Sequence, residues 1–549
     1  MTRPKAAPRA ARATLAAFAA FALGPLAVSE ARELDLSYVA VELPGAPAQL
    51  IPVEIDDDPE RELAVVVAYT IWDEIAIEEV SEIDAVDGLI AAMTIVPALL
   101  ENRELWIFDR QADGTWATLG EPFELATDIV SLEATSQPQV PLLALTDHGA
   151  DAIRWRDDGS GIERVEIVKS ATIFAGTGAF LPQLQWVHDL DGDAWPDLVL
   201  PTRNGWEIYR GTDGGFAPEA SQRLALPEFE DIRTPWREDI PLPEVRDVDG
   251  DGLADLLAPH PSRGWNTFFV YRNLGTGFSA PTGPLGRPDQ NEDSDEESGP
   301  QVVFFDDLDG DGRAEYMTQE WIDAKEAGMK EMAHAKSPPQ RYRLLAADAD
   351  FAQAEEPRRE FVASGHSFPG HSDIRLPGGL WDLDGDGRRD LVTLNLEFSV
   401  LQAVRILVAR SLNIGLDFNV LCQQPDGTFR PAPDLDLSGS FRLNLNNFRQ
   451  GQLSLFGGDF DGDGRKDFVQ IGRGRTVSIH RGAEGCRFPA KPDLEIELAE
   501  APKDLALVEV TDLDGDGLSD LAVTQPQSGR RSAESRSVRL DLYLSGGTR

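Results

Sequence analysis

Cysteine is nearly absent: Cys422 and Cys486 are the only two in 549 residues. That is too few for a disulfide framework, and their separation excludes a C-x-x-C metal or redox site. One bridge between neighbouring repeats and two unpaired, partly buried thiols are both open, with export favouring oxidation. Positive charge is scarce as well. Against 95 Asp and Glu stand 50 Lys and Arg, a formal net charge of -45, and such a field repels phosphate backbones and anionic lipid surfaces. The composition therefore argues against nucleic acid as a partner. Long apolar runs are missing beyond the N-terminus, so no membrane span of about 18 apolar residues is expected there. Also missing are H-E-x-x-H, the G-x-S-x-G elbow and the G-x-x-x-x-G-K-[ST] phosphate loop.

At the N-terminus, Arg3, Lys5, Arg9 and Arg12 precede an apolar run from Ala13 to Val28, with small residues at Ala27 and Ser29. Residues 1–29 read as a signal peptide without a lipobox cysteine, cleaved near Ser29 or Ala31; an uncleaved anchor is the alternative. The mature chain, 32–549, is then secreted, periplasmic or at the cell surface, with no span left after signal removal.

What is abundant is aspartate in one pattern. A nonapeptide D-x-D-x-D-x-x-x-D/E returns six times, beginning at Asp189, Asp247, Asp307, Asp382, Asp459 and Asp512 and covering 189–197, 247–255, 307–315, 382–390, 459–467 and 512–520. Calcium wants six or more oxygens at about 2.3 to 2.6 Å, and carboxylates at alternate positions of a tight loop turn inward to supply them. The donor sets are Asp189, Asp191, Asp193, Trp195 and Asp197; Asp247, Asp249, Asp251, Leu253 and Asp255; Asp307, Asp309, Asp311, Arg313 and Glu315; Asp382, Asp384, Asp386, Arg388 and Asp390; Asp459, Asp461, Asp463, Arg465 and Asp467; and Asp512, Asp514, Asp516, Leu518 and Asp520. In each set the seventh residue lends its main-chain carbonyl. Without a cation, two such carboxylates about 5 Å apart repel by roughly 3 kcal/mol at an effective dielectric of 20. The EF-hand shares the first donors but needs a bidentate Glu at position 12, where this chain has Leu200, Ala258, Thr318, Thr393, Gln470 and Val523. Magnesium fits less well, since it retains waters in a rigid octahedron.

The repeats start 58, 60, 75, 77 and 53 residues apart, the length of a four-stranded sheet with its loops and too long for a solenoid turn. A short apolar run follows each loop. A second strand signal then ends in a Gly-rich turn and an aromatic, as at Phe216, Phe278, Phe429 and Phe488, which reads as a hairpin. Degraded copies lie near 54–62, where Glu54, Asp56, Asp58 and Glu62 could form a weak seventh site, and near 143–151, which keeps only Asp147 and Asp151. The expected fold is all-β, a single β-propeller of four-stranded blades. Eight blades are favoured and seven are the alternative. The last repeat is one strand short, and a spare strand begins at Leu34, so the N-terminal strand is expected to close the ring inside the last blade. Insertions at 71–100, 227–243, 289–297, a helix-like 321–335 and an apolar 398–416 are candidate partner surfaces or caps.

These loops resemble the FG-GAP or VCBS repeat family, whose best-known relatives form the ligand-binding head of integrin α subunits. Departures from its motif are Ala194 in place of the second glycine and Glu315 in place of the final Asp. The resemblance implies a calcium-stabilised propeller outside the cytoplasm, a binding, adhesion or scaffold module for a surface protein or glycan. Integrin-like propellers usually have seven blades. A propeller-based polysaccharide lyase or hydrolase is the runner-up, with His366 and His371 near Asp373 for metal binding or acid-base chemistry and Trp206, Trp236, Trp265, Trp321 and Trp381 for sugar stacking. The plainer readings are surface histidines and inter-blade packing. His188, His260 and His480 read as ordinary residues beside repeat strands.

Overall fold

In the sequence following each Asp-rich loop, apolar residues run consecutively rather than alternating, as in the Leu63–Val67 stretch, which is wholly buried. A strand of that kind must be covered on both faces. The computed structural model describes residues 32–546 apart from 57–60, 71–100, 112–113, 157–158, 160, 173, 176–183, 228–235, 238–241, 261–263, 287–299, 323–338, 366–378, 398–410, 431, 445–448, 472–473, 503–507 and 526–537. Every element among them is a strand. Consecutive strands pair antiparallel into eight four-stranded blades arranged in a ring. Blade 4 is representative, with strands Glu244–Arg246, Asp255–His260, Gly264–Tyr271 and Thr282–Gly286. Blades 6 and 7 are additionally joined, because Leu435–Asn444 pairs with Arg449–Gly458.

Eight apolar clusters fill the eight gaps between neighbouring blades. In the second strand of blade 1, Leu63, Val65 and Val67 pack toward blade 8 with Leu540, Leu542 and Leu544. Ala64 and Val66 point the other way, toward Leu142 and Ala144 of blade 2. This two-residue alternation is the pleat of a strand, here with both faces apolar. Closure is non-covalent and joins the two ends of the described chain. Leu36–Leu43 is the fourth strand of blade 8 and pairs antiparallel with Val538–Ser545 over eight residues, Leu36 opposite Ser545 and Leu43 opposite Val538.

The blade count is thus eight. The stretch 143–151 is not a degraded loop: Leu142–Thr146 and Gly149–Trp155 form the central hairpin of blade 2. Its chance resemblance came from two acids bracketing a β-turn. The loop-equivalent connection is Thr135 to Pro141, closed by the Thr135 hydroxyl donating to the Val140 carbonyl at 2.6 Å. Of the apolar insertion, Ser411–Leu416 belongs to the long third strand of blade 6, Ser411–Leu421. Trp321 ends the strand Glu315–Trp321, while most of the other insertions, with His366, His371 and Asp373, fall outside the described residues. Cys422 and Cys486 are bonded, with Cα atoms 5.7 Å apart, and join blade 6 to blade 7.

Leu43 in the closing strand is almost fully buried. Leu43→Ala is expected to cost about 2–5 kcal/mol in denaturant unfolding, whereas the exposed Leu274→Ala should stay within about 0.5 kcal/mol.

Candidate metal centres

Each Asp-rich nonapeptide connects the first strand of its blade to the second, so all six leave the sheets at the same end. The first carboxylate folds the loop. It accepts from the main-chain N–H groups of the fourth or fifth residue and of the sixth, at 2.7 to 3.2 Å in every copy. The fifth carboxylate accepts from the seventh N–H at 2.8 to 2.9 Å. Both are Asx-type turns, in which a short polar side chain replaces a main-chain acceptor. Positions four and six have positive φ, from 72° at Gly385 to 87° at Gly312. Ala194 adopts 70° there, accepting the strain expected of a residue with a Cβ.

The ninth acid opens the second strand and is a latch. One of its oxygens accepts from the second residue's N–H, at 2.7 to 3.2 Å in all six loops. In five of them the other oxygen accepts an N–H at or just past the end of the third strand: Gly211, Asn273, Gln423, Gly482 and Ser545, at 2.7 to 2.9 Å. In blade 5, Arg358 binds Glu315 at 3.1 Å instead. Burial pushes these groups upward, against their hydrogen bonds: Asp255 to about 6, Glu315, Asp390 and Asp467 to about 7, and Asp520 to about 8. Nearby loop carboxylates add to the rise.

The donors converge. Carboxylate oxygens of Asp189, Asp191 and Asp197 lie within 4.8 Å of one another, as do those of Asp247, Asp249 and Asp251 and those of Glu54, Asp56 and Glu62. The last trio sits in blade 1's own loop position, where the Ile55 N–H donates to Glu62 at 2.8 Å. Asp58 lies outside the described residues. Asp249 Oδ1 and Asp384 Oδ1 are buried with no hydrogen-bond partner, and a carboxylate oxygen has lone pairs beyond those its N–H donors use. Such a set fits a hard dication, and the flanking strands exclude an EF-hand.

The arginines facing the third carboxylates are legible in the sequence only as a faint echo. Arg210, Arg272 and Arg481 directly follow the third strands of blades 3, 4 and 7, and lie 3.7, 3.7 and 3.0 Å from Asp191, Asp249 and Asp461. Arg358 is 3.5 Å from Asp309, and Arg110 of blade 1 reaches Asp514 of blade 8. The aligned strings YRGTDGG, YRNLGTG and HRGAEGC carry this signal.

Neighbouring loops are also wired together. Main-chain N–H groups of Ala314, Arg389, Lys466 and Ser519 donate to carbonyls of Val248, Leu308, Leu383 and Asp459, each in the preceding loop, at 2.7 to 3.3 Å. A Cβ on Gly250 would stand 2.7 Å from the Gly312 carbonyl oxygen, and one on Gly385 would stand 3.0 Å from that of Gly464. The fourth glycine is therefore needed by the next loop as much as by its own.

Histidines and tryptophans are largely structural. Trp206 is buried edge-on against Tyr271 at 5.7 Å, His260 stacks on Phe269 at 5.8 Å, and burial lowers His188. Trp321 is exposed.

No curated protein matches the chain. Among solved structures, it is similar to an Agrocybe aegerita lectin that recognises non-reducing terminal N-acetylglucosamine, at 15% identity and TM-score 0.40 over 73% of this chain and 88% of that one. It is also similar to a putative 6-phosphogluconolactonase from Bacteroides fragilis, at 11% identity and TM-score 0.31 over 72% and 91%. Residues 189–258 and 247–318 match the FG-GAP-like repeat, and 507–538 match the FG-GAP repeat. Those segments are FG-GAP repeats, and the same loop, latch and blade recur between and beyond them.

Proposed function

We propose that the six loops hold calcium ions and that the exported chain is a binding, adhesion or scaffold module for a surface protein or glycan. A ring of FG-GAP blades supports a binding or scaffold role at the coarse level. The observation that carries the calcium reading is the convergence of loop carboxylates around a buried oxygen with no hydrogen-bond donor at Asp249, with a second such oxygen at Asp384. In each loop the first, third and fifth carboxylates would hold the ion, with the ninth behind them and the seventh carbonyl completing the set. Calcium there supplies charge neutralisation and cross-linking. The residues themselves place two strands and, through the inter-loop hydrogen bonds, the next blade. A scaffold braced in this way can present connecting loops in fixed positions, which is what recognition needs. Export rests on the basic and apolar N-terminal sequence. No helix among the described residues is long and apolar enough to cross a membrane.

Extracellular modules bind calcium at about 0.1 to 1 mM, so chelation should lower the melting temperature. Asp384→Ala should remove about one bound ion by equilibrium dialysis; a melting curve indifferent to chelator counts against the proposal. The ninth-position acids add a pH dependence. Burial lifts them above the usual range near 4, so between about pH 4 and 7 the metal-free folded chain binds more protons than the unfolded one. Its stability then falls as pH rises through about 7. With chelator, melting should be lower at pH 8 than at pH 6, and millimolar calcium should shrink or reverse that difference by favouring the ionised acids. For the ligand, a glycan array at millimolar calcium with an assay for reducing-end release is expected to show binding without turnover.

A further inference from the structure

Among the described residues, blade 6 has no guanidinium facing the third carboxylate, unlike the other five loops. The position directly after its third strand, one residue before the N–H that latches the ninth acid, is taken by Cys422, bonded to Cys486 of blade 7. Cys422 Sγ lies 3.8 Å from Asp384 Oδ2. The same oxygen accepts from the Gly485 N–H at 2.7 Å, a donor placed by its neighbour in the bridge. Asp384 is 7% exposed, and its Oδ1 has no hydrogen-bond partner. Arg388 pairs with Asp386 inside the loop, but Arg465 pairs with Asp463 in blade 7 in the same way. Comparing these two loops therefore isolates the third carboxylate: Asp461 has Arg481 at 3.0 Å, and Asp384 has no cation among the described residues.

We propose that the blade 6 loop binds a divalent cation more tightly than the blade 7 loop, because the Cys422–Cys486 bridge orients Asp384 without neutralising it. This rests on the reading of the loops as calcium sites. A guanidinium about 5 Å from a dication repels it and competes for the same carboxylate, which weakens binding by about tenfold or more even after solvent screening.

The test is calcium titration of the chelator-stripped full chain by calorimetry, with terbium luminescence as a second readout. Wild type should show a tight first phase that includes the blade 6 loop and a phase at least about tenfold weaker that includes the blade 7 loop. Asp384→Asn should remove one equivalent from the first phase, and Asp461→Asn one from the weaker phase. Arg358→Gln, at an exposed arginine, should move one weak site toward the tight class, an increase that misfolding cannot mimic. Reducing the bridge should weaken the first phase alone. If wild type binds calcium in one uniform class, or Asp384→Asn spares the first phase, the ranking is wrong while the calcium reading stands. If wild type binds no calcium, both fall.

Discussion

A small sheet that is apolar on both faces cannot persist alone, because water would reach one side of every blade. Each of these blades therefore needs two neighbours, and a closed ring is the arrangement that gives all of them two. Everything else follows from this constraint. The eight inter-blade clusters are the same contact made eight times, with Leu63, Val65 and Val67 serving one neighbour and Ala64 and Val66 the other. Leu36–Leu43 supplies the fourth strand of blade 8 and so ties the two ends of the ring into one sheet.

The Asp-rich loops sit at the crossing from the first strand to the second. In five of them a single acid does two jobs. It accepts from the second residue of the loop and ties the loop to the far end of the third strand. Its burial is the reason its proton affinity is raised, and the same burial makes a neutralising cation valuable. Blade 2 shows the other solution, in which Thr135 and Gln137 cap the turn with neutral groups and Gln137 reaches the Ala194 carbonyl at 2.6 Å.

Local periodicity carried much of this into the sequence. The loops, their Asx turns, the strands that follow, the hairpins ending at Phe278 and Phe429 and the spare strand at the N-terminus are short-range features, each written in a dozen residues. The hairpin at 142–155 misled because its acids imitate the spacing across a tight hairpin turn, and spacing alone does not distinguish a loop from a strand pair. The arginines opposite five of the third carboxylates are about 20 residues or more from their partners, beyond the reach of a local pattern. Arg110 and Asp514 lie on opposite sides of the ring's seam, where no repeat pattern relates them.

The sequence by itself determined the class of fold, the repeat and the residues of six oxygen-rich loops, because those depend on alternation, glycine placement and carboxylate spacing along a continuous chain. Only the tertiary structure decided the number of blades, the pairing of the two cysteines, the inter-loop hydrogen bonds and which carboxylates face a guanidinium. Those are contacts between segments tens to hundreds of residues apart, and their energies depend on the distances that closing the ring imposes.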